Sequence, residues 1–458
     1  MVRTDAGTIL EQSQITNPRY SKPLDVHRYC EHPEARKLIR SIWEDCFGAP
    51  SEANTRKGGV KPKASSLTQL GTTITDLYAA WSTDPELSLG VAMNNAAWDT
   101  GSRYNKIGLS RQTPTIIRCL QENGYIDLSP GSYAGPGAAT NRITRIRAAE
   151  RLRALFREVK FGPQHLLTHP GKECIIMRGS ERSERNLEYE DTSEARRMRE
   201  DLTAYNQLLQ RTFIDVPDQE LPFIERPIKS GAKRGEVTRQ SVCGMDNFVH
   251  RVFNREDWRC GGRFYGGWWQ NCGSEYRKRI HINDEPTVEV DYRALHVAIL
   301  AAKQGIKLEG DPYELEAGVV EGLEADEQRR LVKLLTLVAL NAPSRKAACS
   351  AFRDQAPTGS REKSMTNAEL GRVLYAVVER HPFLRDGLCS DQGIHLMNTD
   401  SRIAALVLRS FTRRGIPVLC IHDSFIIGYS KAILLKRAMK LAALRVIGSE
   451  VEVSNNYL

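Results

Sequence analysis

Apolar residues recur along this chain with two different periods, and the places where the period changes mark its predicted elements. Leu67–Trp81 carries apolar residues at helical spacing. A second helix is predicted to open at Leu109-Ser110-Arg111-Gln112-Thr113 and to run through Ile116, Ile117 and Leu120 to Gly124. Ser110 suits the N-cap, where a hydroxyl satisfies a free backbone N–H, and Gly124 can turn left-handed after the last turn. Short strands follow at Tyr125–Leu128 and Asn141–Ile146, separated by the loop SPGSYAGPGAAT. Charged helices are expected within 147–213. From about residue 240 aromatics and glycines cluster in RFYGGWWQN, and a β-branched run, Thr287–Val290, ends on Asp291. Helices are then predicted at Leu295–Gln304, 325–342, 365–380 and 400–414. The run CIHDSFII, residues 420–427, reads as a hairpin, and Lys431–Val446 as a last amphipathic helix.

Helix, helix, strand, glycine-rich loop, strand is the order of a winged helix-turn-helix. In that arrangement Arg111, Gln112, Thr113 and Arg118 form the polar surface of a recognition helix, with Arg142 and Arg145 beside the wing for phosphates. The predicted fold class is α+β, with helices on a small antiparallel sheet. Four segments are expected: an N-terminal segment and linker over 1–65, a winged-helix domain over 66–158, a helical connector and candidate thumb over 159–240, and a C-terminal domain over 241–458. The linker includes TRKGGVKPKASS, and a second basic stretch, PIKSGAKRGEVTRQ, leads into the C-terminal part.

Composition narrows the partners. The 458 residues are 41% hydrophobic and 26% charged, ordinary for a globular chain, and no apolar run is long enough to span a membrane. The first residues, MVRTDAGTILEQSQ, lack a cationic segment followed by an apolar core, and the ten cysteines form no repeated CxxC pattern. Reduced thiols and a cytoplasmic location are expected. The net charge of +9 fits a polyanionic partner such as nucleic acid.

The carboxylate of Asp423 interrupts an apolar hairpin, and burying it unpaired would cost several kcal/mol. A second carboxylate, Asp291, stands at the end of a strand and directly before a helix. Taken alone, Asp291 could equally cap that helix. As a pair, two such aspartates can bridge two Mg²⁺ ions roughly 3.5–4 Å apart. In the 325–342 helix, Arg329 and Lys333 lie one turn apart on a face from which Asn341 drifts modestly. Such cations can hold a triphosphate, or can simply form a solvated basic face.

These residues carry a resemblance. Asp291-Tyr292 with Leu295 resembles motif A of family A DNA polymerases, and Gly310-Asp311-Pro312-Tyr313 is similar to the Gly-Asp-x-His region after it. Arg329-x-x-x-Lys333-x7-Asn341 resembles motif B, which those enzymes share with the phage-type single-subunit RNA polymerases. His422-Asp423-Ser424-Phe425 resembles motif C in its RNA polymerase form. Upstream, Asp257-Trp258-Arg259 with Gly262-Arg263-Phe264-Tyr265 is similar to the RNA polymerases' Asp-x-x-Gly-Arg segment, with Cys260 and Gly261 as extra residues. The resemblance covers roughly 240–458 and implies a right-hand palm and fingers.

The resemblance also implies roles. Asp291 and Asp423 would bind two Mg²⁺ ions (or Mn²⁺), with the Tyr292 carbonyl as an extra ligand. Lys333 and Arg329 would hold the triphosphate, with Lys333 a proton donor to pyrophosphate. His422 would lie near the primer end or incoming sugar, and Arg259, Arg263 and Tyr265 along the template. Asn398 and Asp400 correspond loosely to a template or minor-groove position. The chain departs from the pattern at Asn341, where motif B has an aromatic, and at His296, where DNA polymerases keep Glu and RNA polymerases a small residue. Both positions bear on sugar choice. The implied activity is template-directed nucleotidyl transfer from NTPs or dNTPs on a DNA or RNA template. RNA synthesis, including priming, is favoured by the His-Asp-Ser-Phe form, and DNA synthesis is the runner-up. A catalytically inactive winged-helix DNA-binding regulator is the alternative of a different class.

Overall fold

A computed structural model describes residues 2–3, 9–10, 15–48, 64–94, 98, 101–107, 109–135, 138, 141–180, 186–228 and 235–455. Residues 55–63 of the predicted linker, 229–234 of the second basic stretch, and 136, 137, 139 and 140 of the predicted wing lie outside them. The architecture is mixed α+β, with helices among several small sheets. The chain divides into two compact units, Met1–Glu173 with Asp218–Asp246, and Cys174–Pro217 with Asn247–Leu458.

In the first unit, helices Ala64–Thr83 and Gln112–Glu122 accompany a four-stranded sheet ordered Ser21–Pro23, Ser88–Val91, Thr144–Ala148, Ile126–Ser129. The strand Ser88–Val91, which lies between the two helices in sequence, is too short to announce itself by alternation. Gly124 takes φ 71° past the helix end as expected, but the N-cap position falls to Arg111, without a side-chain bond, and Ser110 Oγ, one residue earlier, accepts from Gln112 N at 3.2 Å. Leu70, Ile74, Leu77, Ile116, Ile117, Leu120, Ile126 and Ile146 meet in the core. Asp76 is fully buried there, compensated by Arg28 Nε at 2.8 Å, Lys22 Nζ at 3.3 Å and the Asp25 N–H at 2.7 Å.

The second unit is built on the strand Glu285–Tyr292. It pairs antiparallel with Ser424–Gly428 along one edge, and with His281–Ile282 and Val453–Asn455 along the other. Val288, Val290 and Tyr292 point into the core, which leaves Thr287, Glu289 and Asp291 on the opposite face. Helices Leu295–Lys303, Ala325–Asn341, Asn367–Arg380 and Ala432–Ile447 fall within a few residues of their predicted spans, whereas Gly393–Thr412 begins a good turn and a half before its predicted start at 400. A further helix, Arg345–Gln355, escaped the sequence reading. So did three strands within the region expected to be helical: Leu166–Thr168 in the first unit, and Ile175–Arg178 and Asn186–Leu187 in the second.

The segment Asp257–Tyr265 is a strand, paired with His250–Asn254 and shifted in register around Phe253. Gly261 and Gly262 take φ 75° and 84°, so the residues that lengthen the Asp-x-x-Gly-Arg segment are absorbed where the ladder is irregular. A Cβ on Gly262 would meet Phe253 Cε1 at 2.8 Å and Ser401 Oγ at 2.9 Å. Gly262→Ala is therefore expected to lower unfolding stability by about 2–3 kcal/mol. Gly415→Ala has a similar φ of 67° but open space around it, and should cost only about 1 kcal/mol. Denaturant midpoints of the two variants give the comparison; equal losses would show that crowding at Gly262 is relieved at no cost.

Candidate active site

Register brings the two aspartates together. Asp291 pairs with Ser424, so Asp423, the residue before it, comes to the end of the Glu285–Tyr292 strand, and the Tyr292 N–H points to its carbonyl at 3.4 Å. His422 and Asp423 form the two-residue turn between Leu419–Ile421 and Ser424–Gly428. His422 takes φ 56°, a left-handed conformation that costs a non-glycine residue on the order of 1 kcal/mol. The turn is held from below: Trp269 Nε1 and Gln270 Nε2 donate to the Cys420 carbonyl at 3.1 and 2.9 Å, and Tyr205 Oη to that of Val418 at 2.6 Å.

Asp291 does not cap the following helix. The N-cap position belongs to Ala294, at φ 47° and without a side-chain bond. Asp291 Oδ1 is buried and has no hydrogen-bond partner among the described residues. Burial, then the charges of Asp423 and Glu289, push its carboxyl up to about 7, against the opposing pull of Lys333. His422 Nδ1 is likewise buried and unpartnered among the described residues. Burial and Arg263 lower that imidazole's pKa, against Asp423.

Glu289, two residues before Asp291 on the same face, is spent differently. Arg277 binds it through Nε and Nη2, each at 2.9 Å, and Ser424 Oγ donates to it at 2.6 Å. Neither Glu289 nor Arg277 figures in the sequence reading. The Thr287-Glu289-Asp291 alternation was the available pointer, because it sets two carboxylates on one side of a strand.

On one side of Asp291 opens a cleft of ≈ 370 Å³, lined by Asp291, Tyr292, Asp311, Tyr313, Arg329 and Lys333 and by residues of the C-terminal segment such as Ser454. Lys333 is exposed, its Nζ 6.0 Å from the centre of the Tyr313 ring. Arg329 Nε donates to Asp311 Oδ2 at 2.6 Å, and Nη2 meets the same oxygen. The Tyr292 ring is buried and its hydroxyl donates to the Met439 carbonyl at 2.6 Å, which leaves only its backbone for a ligand role. Asn341 is exposed, donates to the Leu337 carbonyl at 2.7 Å and lies against Gly393, outside the cleft lining.

A second group surrounds Asp400, which is 1% exposed. Arg263 Nε donates to both of its oxygens, at 3.2 and 3.0 Å, and Nη2 closes on the second. His296 Nε2 lies 3.0 Å from Asp400 Oδ2 and 3.2 Å from Arg263 Nη2. Three elements are thus tied together: the Asp257–Tyr265 strand, the first turn after Asp291 and the Gly393–Thr412 helix. Tyr265, 40% exposed, stands edge-on to His422 with ring centres 5.2 Å apart. Asn398 donates to the Trp258 carbonyl at 2.8 Å, and Arg259 is held by its neighbour Asp257 at 2.8 Å on the surface.

Of the residues expected on the recognition helix and wing, Arg111, Arg118 and Arg142 are exposed. Thr113 is not a surface residue: it is 0% exposed and its hydroxyl donates to Gln69 Oε1 at 2.9 Å. The reason is periodicity, since Thr113 shares the buried face with Ile116, Ile117 and Leu120. Arg145 is half-buried, its guanidinium bonded to the Pro18 carbonyl, Ser21 Oγ and the Ile143 carbonyl.

Among the described residues no group of three or more His, Cys, Asp or Glu side chains could hold an ion. The pair Asp291 and Asp423, with one orphaned carboxylate oxygen, is a smaller donor set that would suit a divalent cation. No helix among the described residues is long and apolar enough to cross a membrane.

No protein-family model and no curated protein matches the chain. Among solved structures it is similar to the POL domain of Pol1 from M. smegmatis, in complex with DNA primer-template and dNTP. The identity is 12%, over 45% of this chain and 46% of that chain, with a TM-score of 0.31. The match thus spans about half the length of that chain.

The raised carboxyl of Asp291 sets a pH dependence. Its folded pKa exceeds the unfolded value, so between about 4 and about 7 the folded state holds a proton that the unfolded state has released. Stability without metal should fall as pH rises through that window, and Asp291→Asn should remove the fall. At pH 8 the variant is expected to be more stable than the parent by on the order of 1–3 kcal/mol in EDTA. Adding Mg²⁺ should narrow that gap by stabilising the parent alone, as thermal melts at pH 5 and pH 8 can read.

Proposed function

We propose that the chain is a template-directed nucleotidyltransferase that adds nucleotides to a 3′-hydroxyl, with RNA synthesis, including priming, as its reaction. The observation that carries this reading is the buried, unpartnered Asp291 carboxylate oxygen beside Asp423, at the edge of a cleft lined by Lys333 and Arg329. Buried structural carboxylates have their oxygens hydrogen-bonded; one left with an orphaned oxygen beside another acid suits a cation.

Asp291, Asp423 and the Tyr292 carbonyl would hold two Mg²⁺ ions, which when bound acidify the attacking hydroxyl and neutralise the triphosphate. Lys333 projects its ammonium into the cleft as counter-charge for the phosphates and proton donor to the leaving pyrophosphate. Arg329, steadied by Asp311, adds its remaining donors to the outer phosphates. His422 borders the sugar and primer end. Arg263 acts mainly by fixing His296 and Asp400, while Tyr265 offers its exposed ring to the template. Arg111, Arg118 and Arg142 would bind nucleic-acid phosphates in a winged-helix module. DNA synthesis remains the second reading, favoured by His296, a bulky ring fixed by Asp400 and Arg263.

Primer extension with Mg²⁺ tests the proposal, run with NTPs and dNTPs separately, with and without primer. Incorporation should fall by about 10³-fold or more in Asp423→Ala and about 10²-fold in Lys333→Ala. No incorporation by the parent on any template, with Mn²⁺ included, would overturn the enzymatic reading and leave the inactive DNA-binding regulator. His296→Ala and Asn341→Tyr probe the sugar: at least one should shift the NTP/dNTP preference by about tenfold.

A further inference from the structure

The ten cysteines are all free thiols, and most are buried. Cys46 and Cys119 are different. Both are partly exposed, and they come from separate helices, Pro33–Phe47 and Gln112–Glu122, more than seventy residues apart in sequence. Cys119 Sγ donates to the Cys46 carbonyl at 3.2 Å, so its sulfur rests against the partner residue. Each thiol is also the largest single influence on the titration of the other.

We propose that Cys46 and Cys119 are a redox-active pair that closes into a reversible disulfide between the two helices when the chain meets a hydroperoxide. The surroundings distinguish the two sulfurs. The Cys46 hydrogen bond draws the Cys119 thiol below its ordinary pKa, with burial, Glu122 and Asp45 opposing and Asn123 Nδ2 assisting from 3.5 Å. The same hydrogen bond, with burial and Asp45, raises Cys46, against Arg151. Asp45 is itself paired with Arg151 at 3.1 Å and accepts from the Tyr125 hydroxyl at 2.9 Å.

Cys119 is then the attacking sulfur and Cys46 the resolving one. The Cys119 thiolate attacks the terminal peroxide oxygen; an S–O bond forms, the O–O bond breaks, and the departing oxygen leaves as water or alcohol after taking a proton. Cys46 next attacks that sulfur, an S–S bond forms, the S–O bond breaks, and water leaves. The two thiols lose two electrons, and the hydroperoxide gains them. This pairing stands independently of the nucleotidyltransferase reading.

Hydrogen peroxide applied to the full chain, followed by alkylation and peptide mapping without reductant, tests it. The expected result is a Cys46–Cys119 peptide pair that forms at least tenfold faster than any other disulfide and disappears with dithiothreitol. In Cys46→Ser, Cys119 should instead accumulate as a sulfenic acid that dimedone captures. Mapping of the unaltered chain decides the matter without any variant. If Cys46 and Cys119 both stay alkylatable while other thiols oxidise, or each pairs elsewhere, the proposal is overturned.

Discussion

Repulsion between two neighbouring carboxylates is the constraint on which the second unit depends. Asp291 and Asp423 are neighbours because Asp291 pairs with Ser424 across one antiparallel ladder. A slip of one residue would turn Asp291 into the apolar face occupied by Val290 and Tyr292 and bury it. The surrounding bonds oppose any such slip. Ser424 is tied to Glu289, Glu289 to Arg277, and the turn below to Trp269, Gln270 and Tyr205. Left-handed His422 is the backbone cost of that arrangement, and its ring is set beside Tyr265 as a result.

Much of this was legible in the sequence, for identifiable reasons. Long helices such as Ala325–Asn341 and Ala432–Ile447 declare themselves by period, and the two aspartates stand out because each breaks an apolar run. What stayed hidden depends on partners far away in the chain. Nothing near Asp400 says that its carboxylate is shared between Arg263 and His296, or that Arg329 has Asp311 as a counter-ion. Thr113 reads as polar surface because it carries a hydroxyl, although its position repeats with Ile116 and Leu120 and a buried hydroxyl needs only one partner, here Gln69. Short strands such as Ile175–Arg178 offer too few residues for a period to show, and they form because longer strands receive them.

The predicted site residues fall into two groups on either side of Asp291. The cleft group, Lys333 and Arg329, is polar and open. The other, Arg263, His296 and Asp400, is a closed ionic cluster. A buried ionic cluster of this kind adds little net stability, but it fixes relative positions, because breaking any member leaves a buried charge without a partner. The cluster thus holds the strand bearing Tyr265 and the helix following Asp291 as one rigid piece, while the cleft side can adapt to what enters it.

Glu289 adds a further property. Its charge is saturated by a forked arginine and a hydroxyl, so it cannot turn outward to chelate, yet its field still reaches Asp291. It acts as a fixed electrode behind the open pair, raising the negative potential without offering a donor atom. Doubling an ion's charge doubles its attraction to that field, so the site suits a divalent ion that keeps part of its water shell over a monovalent ion of similar size.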